Sequence, residues 1–167
     1  MNENVDAARI VEVLNRHRVA YVIIGGYAAE LHEVADLPPT RDVDVCPATD
    51  RENLGRLSAV LTELHALIRT DAVEGGLPFS HDPESLARAS MWNLVCDAGE
   101  LDITFEPSGG GYGHLAPHAV TIELLGHRVP VAAIDDVIAS KTAAGRPKDI
   151  AALPALVRHR QRTHESD

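Results

Sequence analysis

Asp42 and Asp44, in the run Arg41-Asp42-Val43-Asp44-Val45, have the types and spacing that most directly imply chemistry. In a strand the side chains alternate faces, so the two carboxylates share one face while Val43 and Val45 point into a core. At an effective dielectric of about 20, two such charges roughly 6 Å apart repel by about 2.8 kcal/mol, and a bound cation turns that cost into attraction. Hard oxygen donors in pairs, completed by substrate phosphates, suit Mg2+. Upstream, Tyr21–Ile24 is a short apolar run that reads as a buried strand and leads directly into Gly25-Gly26. Two residues without Cβ atoms let backbone N–H groups approach an anion, and a helical pattern over Tyr27–Glu33 would add the positive end of its dipole. Each signal has a plainer reading. Gly-Gly is also a simple turn, and Asp-x-Asp is also a solvated strand face.

Other elements supply further candidates. Leu101, Ile103 and Phe105 alternate with Asp102 and Thr104, which puts a third carboxylate on a strand, away from its apolar face. This strand follows another at Met91–Cys96 through the hairpin-like link Asp97-Ala98-Gly99-Glu100. From Ile134 the pattern is helical, begun by Asp135-Asp136 and ended by Gly145. Lys141, in its closing turns, either complements the helix dipole or reaches a phosphate. Arg146-Pro147-Lys148-Asp149 opens the last helix, where Asp149 can act as a cap.

The remaining pattern is scaffold. Val5–His17 is an amphipathic helix, and Asp50 caps a second one whose apolar stripe runs from Leu54 to Leu67. Val73–Pro78 is loop, and Asp82-Pro83 opens a short helix. The run Ser108–Gly113 is too rich in glycine for a regular element and reads as a mobile loop, with no helix pattern near enough to complete an anion site. Val120–Leu125 and Arg128–Val131 form another hairpin.

At 167 residues and 45% hydrophobic content, the chain is expected to form one domain, residues 1–167, with its own core. Cys46 and Cys96 have neither zinc-ligand nor redox spacing and read as reduced core residues. No segment has signal-peptide or membrane-span character, so the expected location is cytoplasmic. A formal net charge of −10 opposes a general nucleic-acid coat, whose affinity comes from Lys and Arg on phosphates. From Arg146 onward, however, five Lys or Arg stand against three acids, and Arg158, Arg160 and Arg162 read as a basic, flexible tail from about residue 158.

Taken in order, Gly25-Gly26, Asp42-x-Asp44, Asp102, Lys141 and Lys148-Asp149 make the chain resemble the nucleotidyltransferase superfamily over about residues 20–150. Within it the likeness is to toxin nucleotidyltransferases of the AbiEii/MenT type. The resemblance implies a polymerase-β-like α/β (α+β) fold, a mixed sheet carrying the acids with helices mainly on one side. It implies that Gly25 and Gly26 hold the triphosphate of an NTP and that Asp42 and Asp44 bind Mg2+. Asp102 would join a second ion and help deprotonate the acceptor hydroxyl. Lys141 would steady triphosphate charge, Arg146 and Asp149 would form the closing basic-acidic motif, and Lys148 would add charge beside it. Tyr27 stands where many relatives carry a hydroxyl residue that contacts phosphate.

The expected activity is therefore Mg2+-dependent transfer of a nucleoside monophosphate from NTP to an acceptor hydroxyl. The leading reading is a toxin acting on RNA, tRNA in particular, held in check by an antitoxin protein. A second is nucleotidylation of a small hydroxylated cation such as an aminoglycoside, which the charge of −10 suits. A third is a non-catalytic nucleotide-binding module, against which the three aspartates argue.

Overall fold

Asp6 opens the first helix of the computed structural model, which describes residues 5–165. Its carboxylate accepts the Arg9 N–H at 3.1 Å, capping α1 (Ala7–Arg16). Ala7, Ile10, Val11, Val13 and Leu14 are buried, as the amphipathic pattern requires. The opposite face carries Arg9 and Arg16, which with His17 engage Glu63 at the end of α3 (Arg51–Glu63). This third helix is capped by Asp50 through the Asn53 N–H at 2.9 Å. Its stripe of Leu54, Leu57, Val60 and Leu61 is buried, but the stripe does not extend to Leu67. His65 adopts φ 53°, which turns the chain out of the helix, and Leu67–Ile68 becomes a short strand, β3.

Seven strands form one mixed sheet in the order β3-β4-β5-β2-β1-β7-β6. They are β1 (Tyr21–Ile24), β2 (Asp42–Pro47), β3, β4 (Met91–Cys96), β5 (Gly99–Thr104), β6 (Val120–Leu124) and β7 (His127–Val131). The two hairpins expected from sequence are present: the first turn is tighter than expected, with Cys96 paired to Gly99, and the second has the expected two residues but lies one position earlier, with Leu124 paired to His127. The central strands β1 and β2 are antiparallel, whereas β2–β5 and β1–β7 run parallel. Val43 and Val45 are fully buried. Cys46 is a free thiol in the core, and burial, then the nearby Asp44 charge, push its pKa up to about 12.

Asn53 ties this centre to α3. Its side chain takes the Ala20 N–H at 2.7 Å and donates to the carbonyls of Ala20 and Ala48 at 3.0 and 2.8 Å, satisfying backbone groups at the lower ends of β1 and β2. On the other side of β1, α2 (Gly25–Leu31) starts two residues earlier than its apolar pattern implied, at the first glycine itself. After α4 (Pro83–Leu86) and the β4–β5 hairpin, the glycine-rich run is not wholly irregular. Gly111 precedes a single helical turn, α5 (Tyr112–Leu115), followed by a 3-10 turn at Ala116–His118. Helix α6 (Ile134–Ala144) ends on Gly145 at φ 63°, the left-handed cap its position implied. Helix α7 (Pro147–Glu165) then carries Arg158, Arg160 and Arg162, so the basic segment expected as a tail is helical through Glu165. Among the described residues no helix is long and apolar enough to cross a membrane.

Candidate active site

The sheet register brings the acids together. Asp44 on β2 is the parallel partner of Asp102 on β5, and Ile24, the last residue of β1, is the antiparallel partner of Asp44. The chain leaves Ile24 into Gly25, which has φ 70° and no room for a side chain larger than hydrogen without crowding. A Cβ there would lie 3.3 Å from Asp44 Oδ2. The glycine turn and the carboxylates therefore share one edge of the central strands. Asp102 sits in an interior strand, between β4 and β2, and not at an edge where it would simply be solvated.

Burial first, and then the facing Asp102 charge, push the pKa of Asp44 up to about 7, although the Thr104 hydroxyl donates to Asp44 Oδ1 at 3.1 Å and works the other way. Asp102 is likewise raised to about 7, by burial and by sharing a hydrogen bond with Asp42, while Arg69 opposes the shift. Two acids so placed hold their charge unwillingly near neutral pH, the condition in which a divalent cation is most effective as a partner.

Arg69 had no distinguishing signal in the sequence. The unexpected strand β3 delivers it: just past Ile68, its backbone N–H donates to the Asn93 carbonyl, and its guanidinium reaches Asp102 at 3.1 Å and Glu100 at 3.6 Å. Only the apolar pair Leu67-Ile68 before it hinted at a strand, and a helical stripe claimed Leu67 first. Asp102 is held toward this arginine. Among the described residues the three ligand-type side chains that converge within 4.8 Å are thus not the aspartates but His114, His118 and Asp136.

The closing motif lies over the same edge. Asp149, 1% exposed, takes Arg146 Nε at 2.6 Å and Arg146 Nη2 at 3.2 Å, and it accepts the Arg146 backbone N–H at 3.3 Å. An acid three residues into a helix reaching back to the first N–H is a cap, so Asp149 does have the capping role. It does more, because Lys141 Nζ approaches it at 3.5 Å from the end of α6. Burial raises the Asp149 pKa, but the hydrogen bonds and charges of Arg146 and the charge of Lys141 outweigh it, and the carboxyl is held below its ordinary range. Lys141 is only 16% exposed and is turned inward to this carboxylate, not outward along the helix dipole. Arg146 also lowers the Asp44 pKa by its charge, which links the motif to the aspartates. Lys148 lies in the first turn of α7 and is exposed.

A shallow crevice opens beside Gly25, with Lys141, Ser140 and Asp136 of α6 on one wall and Ser108 and Gly110 on another. The other two nucleotide candidates behave differently from Gly25. A Cβ at Gly26 would lie 2.5 Å from Thr40 Cγ2, so Gly26 is needed to admit Thr40 against the turn. Thr40 Oγ1 is itself buried without a hydrogen-bond partner. The Tyr27 side chain is buried, and burial raises its phenol pKa, so any phosphate contact at this position is left to the backbone.

No protein-family model matches the chain, and no curated protein matches it. Solved structures do. The lincosamide antibiotic adenylyltransferase LnuA, solved with lincomycin bound, is 15% identical, with a TM-score of 0.60 over 90% of this chain and 93% of that one. The antibiotic-resistance factor ANT(2'')-Ia is 13% identical, with a TM-score of 0.58 over 90% of this chain and 80% of that one. An antigenic nucleotidyltransferase-like protein from Paracoccidioides brasiliensis is 17% identical, with a TM-score of 0.55 over 90% of this chain and 73% of that one. At these identities the likeness is one of architecture: the chain has the mixed α/β fold of nucleotidyltransferases.

Proposed function

We propose that the chain is a Mg2+-dependent nucleotidyltransferase that moves a nucleoside monophosphate from an NTP to an acceptor hydroxyl and releases pyrophosphate. One observation carries this reading: the Gly25 turn abuts Asp44, which is in register with Asp102 on the neighbouring parallel strand. The donor set fits magnesium, since it is all oxygen and consists of carboxylates that repel one another until a cation is shared. Magnesium, when bound there, supplies positive charge to the triphosphate and to the attacking oxygen.

The chain's own residues do the positioning. Backbone N–H groups at Gly25 and Gly26 hold the triphosphate. Asp42 and Asp44 would hold the metal, and Thr104 orients Asp44. Asp102 would leave Arg69 to hold a second ion and would take the proton of the acceptor hydroxyl. Lys141, held by Asp149 beside the crevice, faces the triphosphate charge. The acceptor oxygen attacks the α-phosphorus and the bond to the β-phosphate oxygen breaks, so the work is mostly orientation and charge neutralisation.

For the acceptor, the AbiEii/MenT resemblance supports RNA, tRNA in particular, and hence a toxin with a cognate antitoxin. A second reading rests on the cations of α7. Arg158 pairs with Asp36 at 3.7 Å and Arg160 with Asp135 at 3.5 Å, so part of the charge an RNA backbone would need is already engaged. With a net charge of −10 this favours a small hydroxylated cation. The test is incubation with each α-labelled NTP, magnesium, and total RNA, protein or aminoglycosides in parallel. Label on RNA supports the toxin reading, label on the aminoglycoside supports the second, and label on none of them with any NTP contradicts the proposed transfer.

A further inference from the structure

The glycine-rich segment is shaped around an imidazole. Gly110 has φ 125°, and a Cβ there would lie 2.8 Å from the His114 ring, so the backbone at this point can approach the ring only as glycine. A Cβ on Gly109 would lie 3.4 Å from the backbone of Ser140, on α6. The run thus lies between His114 and α6, whereas its sequence suggested only mobility.

His114 and His118 lie one turn apart across α5 and the 3-10 turn, with ring centroids 5.6 Å apart and ring planes at 86°. Both address one carboxylate in the first turn of α6. His114 Nε2 is 3.5 Å from Asp136 Oδ1, and His118 Nδ1 is 3.2 Å from Asp136 Oδ2. One ligand atom from each residue falls within 4.8 Å of the other two. The Asp136 side chain is only 12% exposed, while the imidazoles are 50% and 57% exposed, so a fixed acid faces two rings that still have access to solvent.

Two imidazole nitrogens and a carboxylate oxygen are the donors of zinc sites that keep one position open. With bonds of about 2.0–2.2 Å, ligand atoms around a tetrahedral ion stand roughly 3.3–3.5 Å apart, and one ligand atom from each of these three residues already lies within 4.8 Å of the others, so small side-chain rotations bring them onto one ion. Imidazole nitrogen suits Zn2+ and its transition-metal neighbours, whereas Mg2+ prefers oxygen throughout. We propose that His114, His118 and Asp136 form a binding site for one Zn2+-class ion, separate from the aspartates of β2 and β5. The ion cross-links α5 and the 3-10 turn, which follow directly on the glycine-rich segment, to α6. Because Ser108, Gly110 and Asp136 line the crevice that also holds Gly25 and Lys141, the cross-link fixes one wall of that crevice.

The proposal does not depend on nucleotidyl transfer, and its test uses no activity. The metal-stripped full chain is titrated with Co2+ in the presence of excess Mg2+, and the visible absorption of low-coordinate Co2+ is followed, with Zn2+ added to displace it. Thermal melting with and without Zn2+ is measured in parallel. The expected result is one equivalent of Co2+ with a visible spectrum, displaced by Zn2+, and a rise in Tm with Zn2+. Both are retained in Asp44→Asn and lost in His114→Gln/His118→Gln. If the double variant does not fold, His118→Gln alone serves, with at least a tenfold loss of Co2+ affinity expected. No cobalt spectrum in the parent would leave the three residues as an ion-paired cluster only and would overturn the proposal. A spectrum unchanged in the histidine variants, or lost in Asp44→Asn, would also overturn it by placing the ion elsewhere.

Discussion

Replacing Asp44 by Asn should stabilise the protein at neutral and alkaline pH while abolishing transfer. Asn keeps the shape and can still accept from the Thr104 hydroxyl, so the main change is loss of an ionisable group. The Asp44 pKa is raised from 3.8 to about 7 in the folded chain, so between these values the native state binds the proton more tightly than the unfolded state does. Stability then falls as pH rises, by up to about 1.4 kcal/mol per pH unit, until pH passes the folded pKa. The Asn variant lacks this loss. Its advantage over the parent should widen by about 2–3 kcal/mol between about pH 5 and about pH 8, most of it below about pH 7. Urea unfolding of both proteins across that range, with metals chelated, measures the gap. A gap that does not change with pH, or that shrinks as pH rises, would refute the burial and charge repulsion assigned to Asp44.

Other perturbations separate turn, scaffold and charge. Gly26→Ala should destabilise the protein by about 1–3 kcal/mol because its Cβ meets Thr40 Cγ2. Thr40→Ser in the same chain, which removes that methyl group, should restore most of the loss in denaturant midpoint, and no restoration would rule out this contact. Asn53→Ala strands the Ala20 N–H and the Ala48 carbonyl, while the Ala20 carbonyl keeps the Ala48 N–H, and a loss of about 2–4 kcal/mol in urea unfolding is expected. Lys141→Ala removes one partner of buried Asp149 and should both cost about 1–2 kcal/mol and raise KM for NTP. An unchanged KM beside a lowered Tm would leave Lys141 a purely structural partner. With the Asp44 and Asp102 pKa values raised to about 7, protons compete with metal, so apparent Mg2+ affinity should increase with pH up to about 7 and then level off; a flat profile would contradict this.

Local pattern was legible wherever one short window held the whole signal. The alternation around Val43 and Val45, the Asp50 and Gly145 caps, and the two hairpins each depend on a few neighbouring residues, and the structure agrees with them. Partners distant in sequence were not legible. Arg69 meets Asp102 across 33 positions, and it does so because His65 ends α3 in a left-handed conformation that helix periodicity does not reveal. Periodicity likewise gave Leu67 to the helix, since one apolar residue fits a stripe and a two-residue strand equally well. Lys141 and Asp149 were both singled out, but their mutual contact arises from the packing of α6 on α7 and has no sequence signature. The glycine run looked mobile because composition records freedom of the backbone and not the ring against which that backbone packs.

The fate of the phosphates tests the central claim most directly. The parent protein is supplied with magnesium, the acceptor that labels, and NTP carrying label on either the α- or the γ-phosphate; Asp42→Asn and Asp44→Asn are run beside it. The account predicts that α-label stays on the acceptor, that γ-label leaves as pyrophosphate, and that both variants lose transfer at saturating magnesium while remaining folded. Transfer of γ-label to the acceptor, or α-label transfer undiminished in both variants, would contradict it.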